Sequence, residues 1–279
     1  MCFQVITIPF LFFSRSKSIS KILTVYAFVV CKLLRFFCGV SVEVRGKIPN
    51  FPCIIATRHE SFLDPVVLHC LLSDPIFIAK SELKNFLGFS TLLKLQGTIF
   101  VNRDKKNKAL RVLKDSLSAL EASGRKNQII IFPQGARDIP CTNKPYQRGI
   151  ELIRKKTLLP IISVAVNSGL FWPSKLNLYP GKTVIEFLPA LTDAELACTS
   201  GLTSLIEEKI EIASRALFYE AALNDKNLYS RLQDLGYDGS LCLKDIEEAG
   251  HQIHIEDCSS RETQTAKVSL RARKHSKGN

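Results

Sequence analysis

The chain has 279 residues, 46% of them apolar, and a formal charge of +12, which supplies ample material for a core and excludes a disordered chain. The charge sits at the ends: residues 1–42 carry Arg15, Lys17, Lys21, Lys32 and Arg35 with no acid, residues 259–279 carry six basic groups against Glu262, and the body between is nearly neutral. Basic ends on a neutral body suit an anionic membrane surface, and the absence of zinc-finger spacing, an aromatic RNA-binding signature or a basic helix with heptads argues against nucleic acid as a partner.

The first forty residues hold two apolar stretches, "VITIPFLFF" and "ILTVYAFVVCKLLRFFCGV". Spanning the hydrocarbon of a bilayer takes about 20 apolar residues; the first stretch is too short and the second is interrupted by Lys32 and Arg35. Basic residues follow the first run instead of preceding it, and no small-residue cleavage site appears, so a secretory signal is not indicated. Lys32 and Arg35 share one helical face, with Tyr26, Phe36 and Phe37 nearby. The expectation is a membrane-associated helical segment over residues 1–40 lying in one leaflet, the alternative being a buried core helix.

From residue 41 the pattern alternates. Residues 41–46, 53–57, 76–80, 97–101, 128–132, 161–166 and 183–188 read as strands, and 107–122 reads as a helix from Leu110, Leu113, Leu117 and Leu120. A second helix over about 203–222 closes the domain. Strands alternating with helices predict a single α/β domain over 41–222, with a central sheet, mainly parallel or mixed, flanked by helices. Residues 223–279 form a C-terminal extension whose last segment, 259–279, reads as disordered. Nine cysteines, odd in number and without a C-x-x-C pair, point to a reducing compartment.

The stretch "ATRHESFLDP" places His59 five residues before Asp64. Asp64 followed by Pro65 reads as a helix N-cap with proline at the first helical position, which leaves His59 in a loop, free to turn its ring back to Asp64. Ser61 between them reads as a turn hydroxyl. Two apolar strands end in basic residues: "GTIFVNRD" at Arg103, and "IIIFPQGARD" at Arg137 beyond Gln134 and Gly135. Strand ends are where α/β sheets form ligand crevices, Gly135 permits close backbone approach, and Arg137 offers a planar fork suited to phosphate. A third run, "LPIISVAVNSG", offers Pro160, Ile161 and Ile162 to line an apolar slot. His69, on the apolar helix after Pro65, reads as a satisfied core histidine, and Trp172 as a packing residue or part of a lipid entrance. "HQIH" lacks further clustered ligands for a metal. No G-x-S-x-G elbow, Walker loop or G-x-G-x-x-G occurs.

With these four segments in order, the chain resembles the glycerophospholipid acyltransferases, and most closely the bacterial 1-acylglycerol-3-phosphate acyltransferases. The family pattern is met by "HESFLD", "GTIFVNR" and "FPQGAR", and loosely by "LPIISV", across residues 59–164. The resemblance extends to about residue 220.

It implies that His59 takes the proton of an acceptor hydroxyl as that oxygen attacks an acyl thioester, with Asp64 fixing the tautomer. It further implies Arg103, Arg137 and Gly135 on an acceptor phosphate, Ser61 and Gln134 at the acceptor loop, and Pro160, Ile161 and Ile162 at the acyl pocket. The implied partners are lysophosphatidic acid, acyl-coenzyme A or acyl carrier protein, and a membrane surface with anionic lipids. The implied location is the cytoplasmic face of the inner cell membrane, monotopic or peripheral; no cofactor or metal is implied. Two positions depart from the family: Gln134 stands where it has glutamate, and Ala136 where it has threonine, so the acceptor's affinity or identity is expected to differ. Another lysophospholipid or an amine is the alternative acceptor, and a catalytically silent membrane-binding homologue the alternative class.

Overall fold

Continuously apolar strands such as β2 and β6 require cover on both faces of a sheet, and the arrangement supplies it. The computed structural model describes residues 16–85, 89–102, 106–125, 127–138, 144–173, 177–197 and 201–225. Arg103, residues 1–15 and the extension from residue 226 onward, with His251 and His254, lie outside the described residues.

Seven strands form one sheet: β1 (Val40–Gly46), β2 (Cys53–Thr57), β3 (Pro75–Lys80), β4 (Ile99–Val101), β5 (Gln128–Ile131), β6 (Ile161–Val166) and β7 (Gly181–Ala190), in the order β1-β7-β6-β2-β5-β3-β4. All neighbours are parallel except β6 and β7. The sheet is therefore mixed, and each strand foreseen from the apolar runs is present. β4 is shorter than expected because the Gly97 and Thr98 amides donate back to the Lys94 and Leu93 carbonyls, closing the preceding helix instead of entering the ladder.

The helices are α1 (Ser16–Cys38), α2 (Leu63–Leu71), α3 (Phe89–Gln96), α4 (Lys106–Ala122), α5 (Gly149–Thr157), α6 (Asp193–Ala197) and α7 (Leu202–Asn224). Odd and even positions of the strands feed two separate cores. Ile55, Phe77, Ile130, Ile162, Val164 and Val166 meet Leu63, Val67 and Leu68 of α2 and Leu34 of α1 on one face. On the other, Ile54, Ile76, Ile129 and Ile161 meet Leu113 and Leu117 of α4, Ile150 and Ile153 of α5, and Ile206 and Ile210 of α7.

Helix α1 packs against α2, α3 and β1. It buries Leu23, Ala27 and Leu34, yet leaves Val25, Val29, Leu33, Phe36 and Phe37 exposed, so it is apolar on the outside as well as the inside. Among the described residues no helix is long and apolar enough to cross a membrane.

His69 is a core histidine, as its apolar helix suggests. Gln96 Nε2 donates to His69 Nε2 at 2.7 Å, Thr24 Oγ1 lies 3.4 Å from Nδ1, and burial holds the ring's pKa below its ordinary value.

Candidate active site

Three neighbouring parallel strands, β5, β2 and β6, end side by side, and the segments leaving their carboxyl ends form the site. The segment after β2 carries His59 and Asp64. His59 Nδ1 lies 2.9 Å from Asp64 Oδ2. Because that oxygen also accepts the Glu60 and Ser61 amides at 2.8 and 2.9 Å, it faces donors, so Nδ1 carries the proton and the neutral ring keeps its lone pair on Nε2.

Asp64 is not the helix cap that its sequence suggested. Helix α2 begins two residues earlier than expected, at Leu63 instead of Pro65, and the carboxylate turns back to the loop amides and the histidine. Ser61 takes part of the turn role instead: its Oγ accepts the Leu63 amide at 3.1 Å. The carboxylate's outer oxygen, Oδ1, accepts a short hydrogen bond from Ser168 Oγ, in the segment that leaves β6. Asp64 and Ser168 are both fully buried, while the His59 side chain stays 19% exposed.

The segment after β5 holds His59 from the other side. Its imidazole stacks on Phe132 with centroids 4.2 Å apart. The His59 amide donates to Gln134 Oε1 at 3.0 Å, and the Asp138 amide donates to the His59 carbonyl at 2.8 Å. Gln134, expected at the acceptor site or as support of its loop, is buried and holds the backbone of the histidine. Gly135, at φ +83°, adopts the left-handed conformation that the turn requires, its amide donating to the Phe132 carbonyl. Arg137 stacks its guanidinium 3.6 Å above the ring of Phe62, which in turn leans on Trp172 with centroids 6.0 Å apart. Its Nη1 is buried without a hydrogen-bond partner, and desolvation lowers its pKa against the attraction of Asp64. A stacked, partly desolvated guanidinium with an unpartnered N–H, held near the Asp64 carboxylate, offers a donor suited to an anion.

Pro160, Ile161 and Ile162 do not join this crevice. Ile161 pairs with Ile54, three residues before Thr57, which places it about 10 Å below the strand end at 3.3 Å per residue. Ile161 and Ile162 fill opposite cores, because a strand covered on both faces buries every side chain.

Sequence reasoning missed a buried charge cluster beneath the histidine loop. Arg58, 1% exposed, bonds Glu211 of α7 through Nη1, and Tyr146 donates its hydroxyl to the other Glu211 oxygen at 3.0 Å. Arg58 Nε lies 3.0 Å from Glu60 Oε1, a charge contact outside hydrogen-bond geometry. Burial outweighs that contact and pushes the Glu60 carboxyl up to about 8. The one signal available beforehand was the presence of two charged residues flanking His59 at the end of an apolar strand.

Residues 40–167 match the family model described as Acyltransferase. The 1-acyl-sn-glycerol-3-phosphate acyltransferase of Pseudomonas aeruginosa is 29% identical over 176 residues, covering 60% of this chain and 68% of that one. The human 1-acyl-sn-glycerol-3-phosphate acyltransferase beta is 29% identical over 177 residues, covering 61% and 60%. The crystal structure of the 1-acyl-sn-glycerophosphate (LPA) acyltransferase PlsC from Thermotoga maritima superposes with a TM-score of 0.59 at 22% identity, over 75% of this chain and 84% of that one, so the fold is shared. The resemblance drawn from the four motifs is borne out by these likenesses.

Proposed function

We propose that this chain, whose likeness to the 1-acylglycerol-3-phosphate acyltransferases extends to sequence and fold, moves an acyl group from a thioester of coenzyme A or acyl carrier protein to the free hydroxyl of lysophosphatidic acid, giving phosphatidic acid. The observation that carries the reading is a histidine with Nδ1 on a buried carboxylate and Nε2 free, with Arg137, whose Nη1 has no partner, in the field of the same carboxylate.

In the reaction, His59 Nε2 accepts the proton of the acceptor hydroxyl as its oxygen attacks the thioester carbonyl. The imidazolium that forms is stabilised by Asp64. The tetrahedral intermediate then expels the thiolate, which takes the proton back from Nε2. Ester and free thiol leave, and no nucleophilic side chain of the protein is consumed. Arg137 holds the acceptor phosphate, as a guanidinium fork is suited to do.

Gln134 gives no support to a silent homologue, since its amide oxygen still holds the His59 backbone. The chain works at the cytoplasmic face of the cell membrane, resting on the outer side of α1, where exposed Phe36 and Phe37 stand beside exposed Lys32 and Arg35.

Purified protein dispersed in detergent, offered a panel of lysophospholipids and amines with each thioester, tests the reading by product mass. Phosphatidic acid should form with wild type and fall by about 10²- to 10⁴-fold in His59→Ala. No acyl product from any acceptor would overturn it.

A further inference from the structure

We propose that Ser168 is a positioning residue of the His59–Asp64 pair, its hydroxyl locking the carboxylate so that Oδ2 faces the imidazole. The proposal rests on the acyl-transfer reading above for its kinetic consequences, but its geometry stands separately.

The carboxylate is held from two sides. Oδ2 collects three N–H donors from its own loop, those of His59 Nδ1, Glu60 and Ser61. Oδ1 takes the hydroxyl of Ser168, which is 104 residues away in sequence. Three donors on one oxygen leave the carboxyl plane free to rock about its Cβ–Cγ bond; a fourth donor on the other oxygen fixes it. The hydrogen bond between the serine and the carboxylate is removed from water, since Asp64 and Ser168 have no exposed surface.

The arm that carries Ser168 is rigidly mounted. Asn167 Oδ1 accepts the Val184 amide of β7 at 2.7 Å, and its Nδ2 donates to the Leu217 carbonyl of α7. One residue further, the Gly169 amide donates to Glu60 Oε2 at 3.1 Å. The same arm therefore clasps the histidine loop twice, at Asp64 and at Glu60. A buried serine needed only to end a strand would satisfy its hydroxyl on a nearby carbonyl; this one spends it on the outer oxygen of the carboxylate that orients the base.

The consequence is a defect in turnover and not in binding, because Ser168 has no exposed surface for a substrate to touch. A hydrogen bond to a charged group in a dry site accounts for roughly 10- to 100-fold. In Ser168→Ala, kcat should fall by about that factor with the KM for both substrates within about twofold of wild type. Ser168→Cys keeps the shape with a weaker donor, and its kcat should lie between the two. A readout independent of turnover is the downfield imidazole N–H proton resonance of labelled protein, identified by its loss in His59→Gln; it should shift or broaden in Ser168→Ala.

Unchanged kcat in folded Ser168→Ala, a rise in KM at constant kcat, or an unmoved proton resonance would each overturn the proposal. Failure of both serine variants to fold would do so too, by making the residue structural. If wild type transfers no acyl group while the resonance still responds to Ser168→Ala, the functional reading falls and the positioning role stands.

Discussion

Replacing Asp64 by asparagine separates the charge of the carboxylate from its shape. The site can accept the change. Asparagine's carbonyl oxygen can take the place of Oδ2, receiving His59 Nδ1 and the Glu60 and Ser61 amides, while its NH2 faces Ser168 Oγ, which can turn from donor to acceptor. Alanine would instead strand three N–H groups and a hydroxyl around a position that has no exposed surface. At about 1–3 kcal/mol for each unmet group, that loss rivals a total stability of about 5–15 kcal/mol. In the folded asparagine variant, what disappears is the attraction between carboxylate and imidazolium. For charges centred about 4 Å apart at an effective dielectric of about 20, that attraction is about 4 kcal/mol, or about three decades in rate. Thus Asp64→Asn should keep its melting temperature within a few degrees and lose about 10³-fold in kcat, measured by acyl-thioester consumption at saturating acceptor. A folded variant with kcat within tenfold of wild type would refute the assignment of Asp64 to the imidazolium.

Glu60 titrates in the folded protein at about 8, well above the ordinary carboxyl value near 4.5, because it is buried. Between those limits the folded state binds the extra proton, so stability is full below about 4.5 and falls as pH rises through about 8, by roughly 1.4 kcal/mol per pH unit within the window. Urea midpoints of wild type should drop from pH 5 to 8, and those of Glu60→Gln should not; equal slopes would refute this. Arg137→Ala should raise KM for a phosphomonoester acceptor by about 10- to 100-fold and leave the thioester KM unchanged, with an equal rise in both counting against the phosphate role. Replacing exposed Phe36 and Phe37 by serine should reduce sedimentation with anionic vesicles without lowering the melting temperature, since neither side chain enters a core; undiminished sedimentation would place the membrane contact elsewhere.

Local periodicity settled much of the molecule in advance. Runs such as "CIIAT" and "IISVAV" are too short and too continuously apolar for surface helices, and β2 and β6 fall where those runs predict. The leucines of α4 at spacings of three and four predict a helix with one buried face, which Leu113 and Leu117 form with Leu120 at its edge, while Leu110 stays exposed. The His59–Asp64 spacing was legible for the same reason: two residues five apart can meet only if the chain between them turns, and the pair's chemistry follows from side-chain type.

The rest depends on partners that sequence distance hides. Asp64 looks like a cap from its neighbour Pro65, yet its second oxygen is taken by Ser168, which arrives from the segment after β6. Arg58 is held by Glu211, 153 residues away, and which backbone Gln134 supports appears only when β5 is laid beside β2 and its side chain meets the His59 amide. Pro160, Ile161 and Ile162 share a motif with residues near the site but lie toward the other end of their strand. A strand's pattern fixes which residues alternate; only the order of strands in the sheet fixes which ends meet and what each buried polar group finds there.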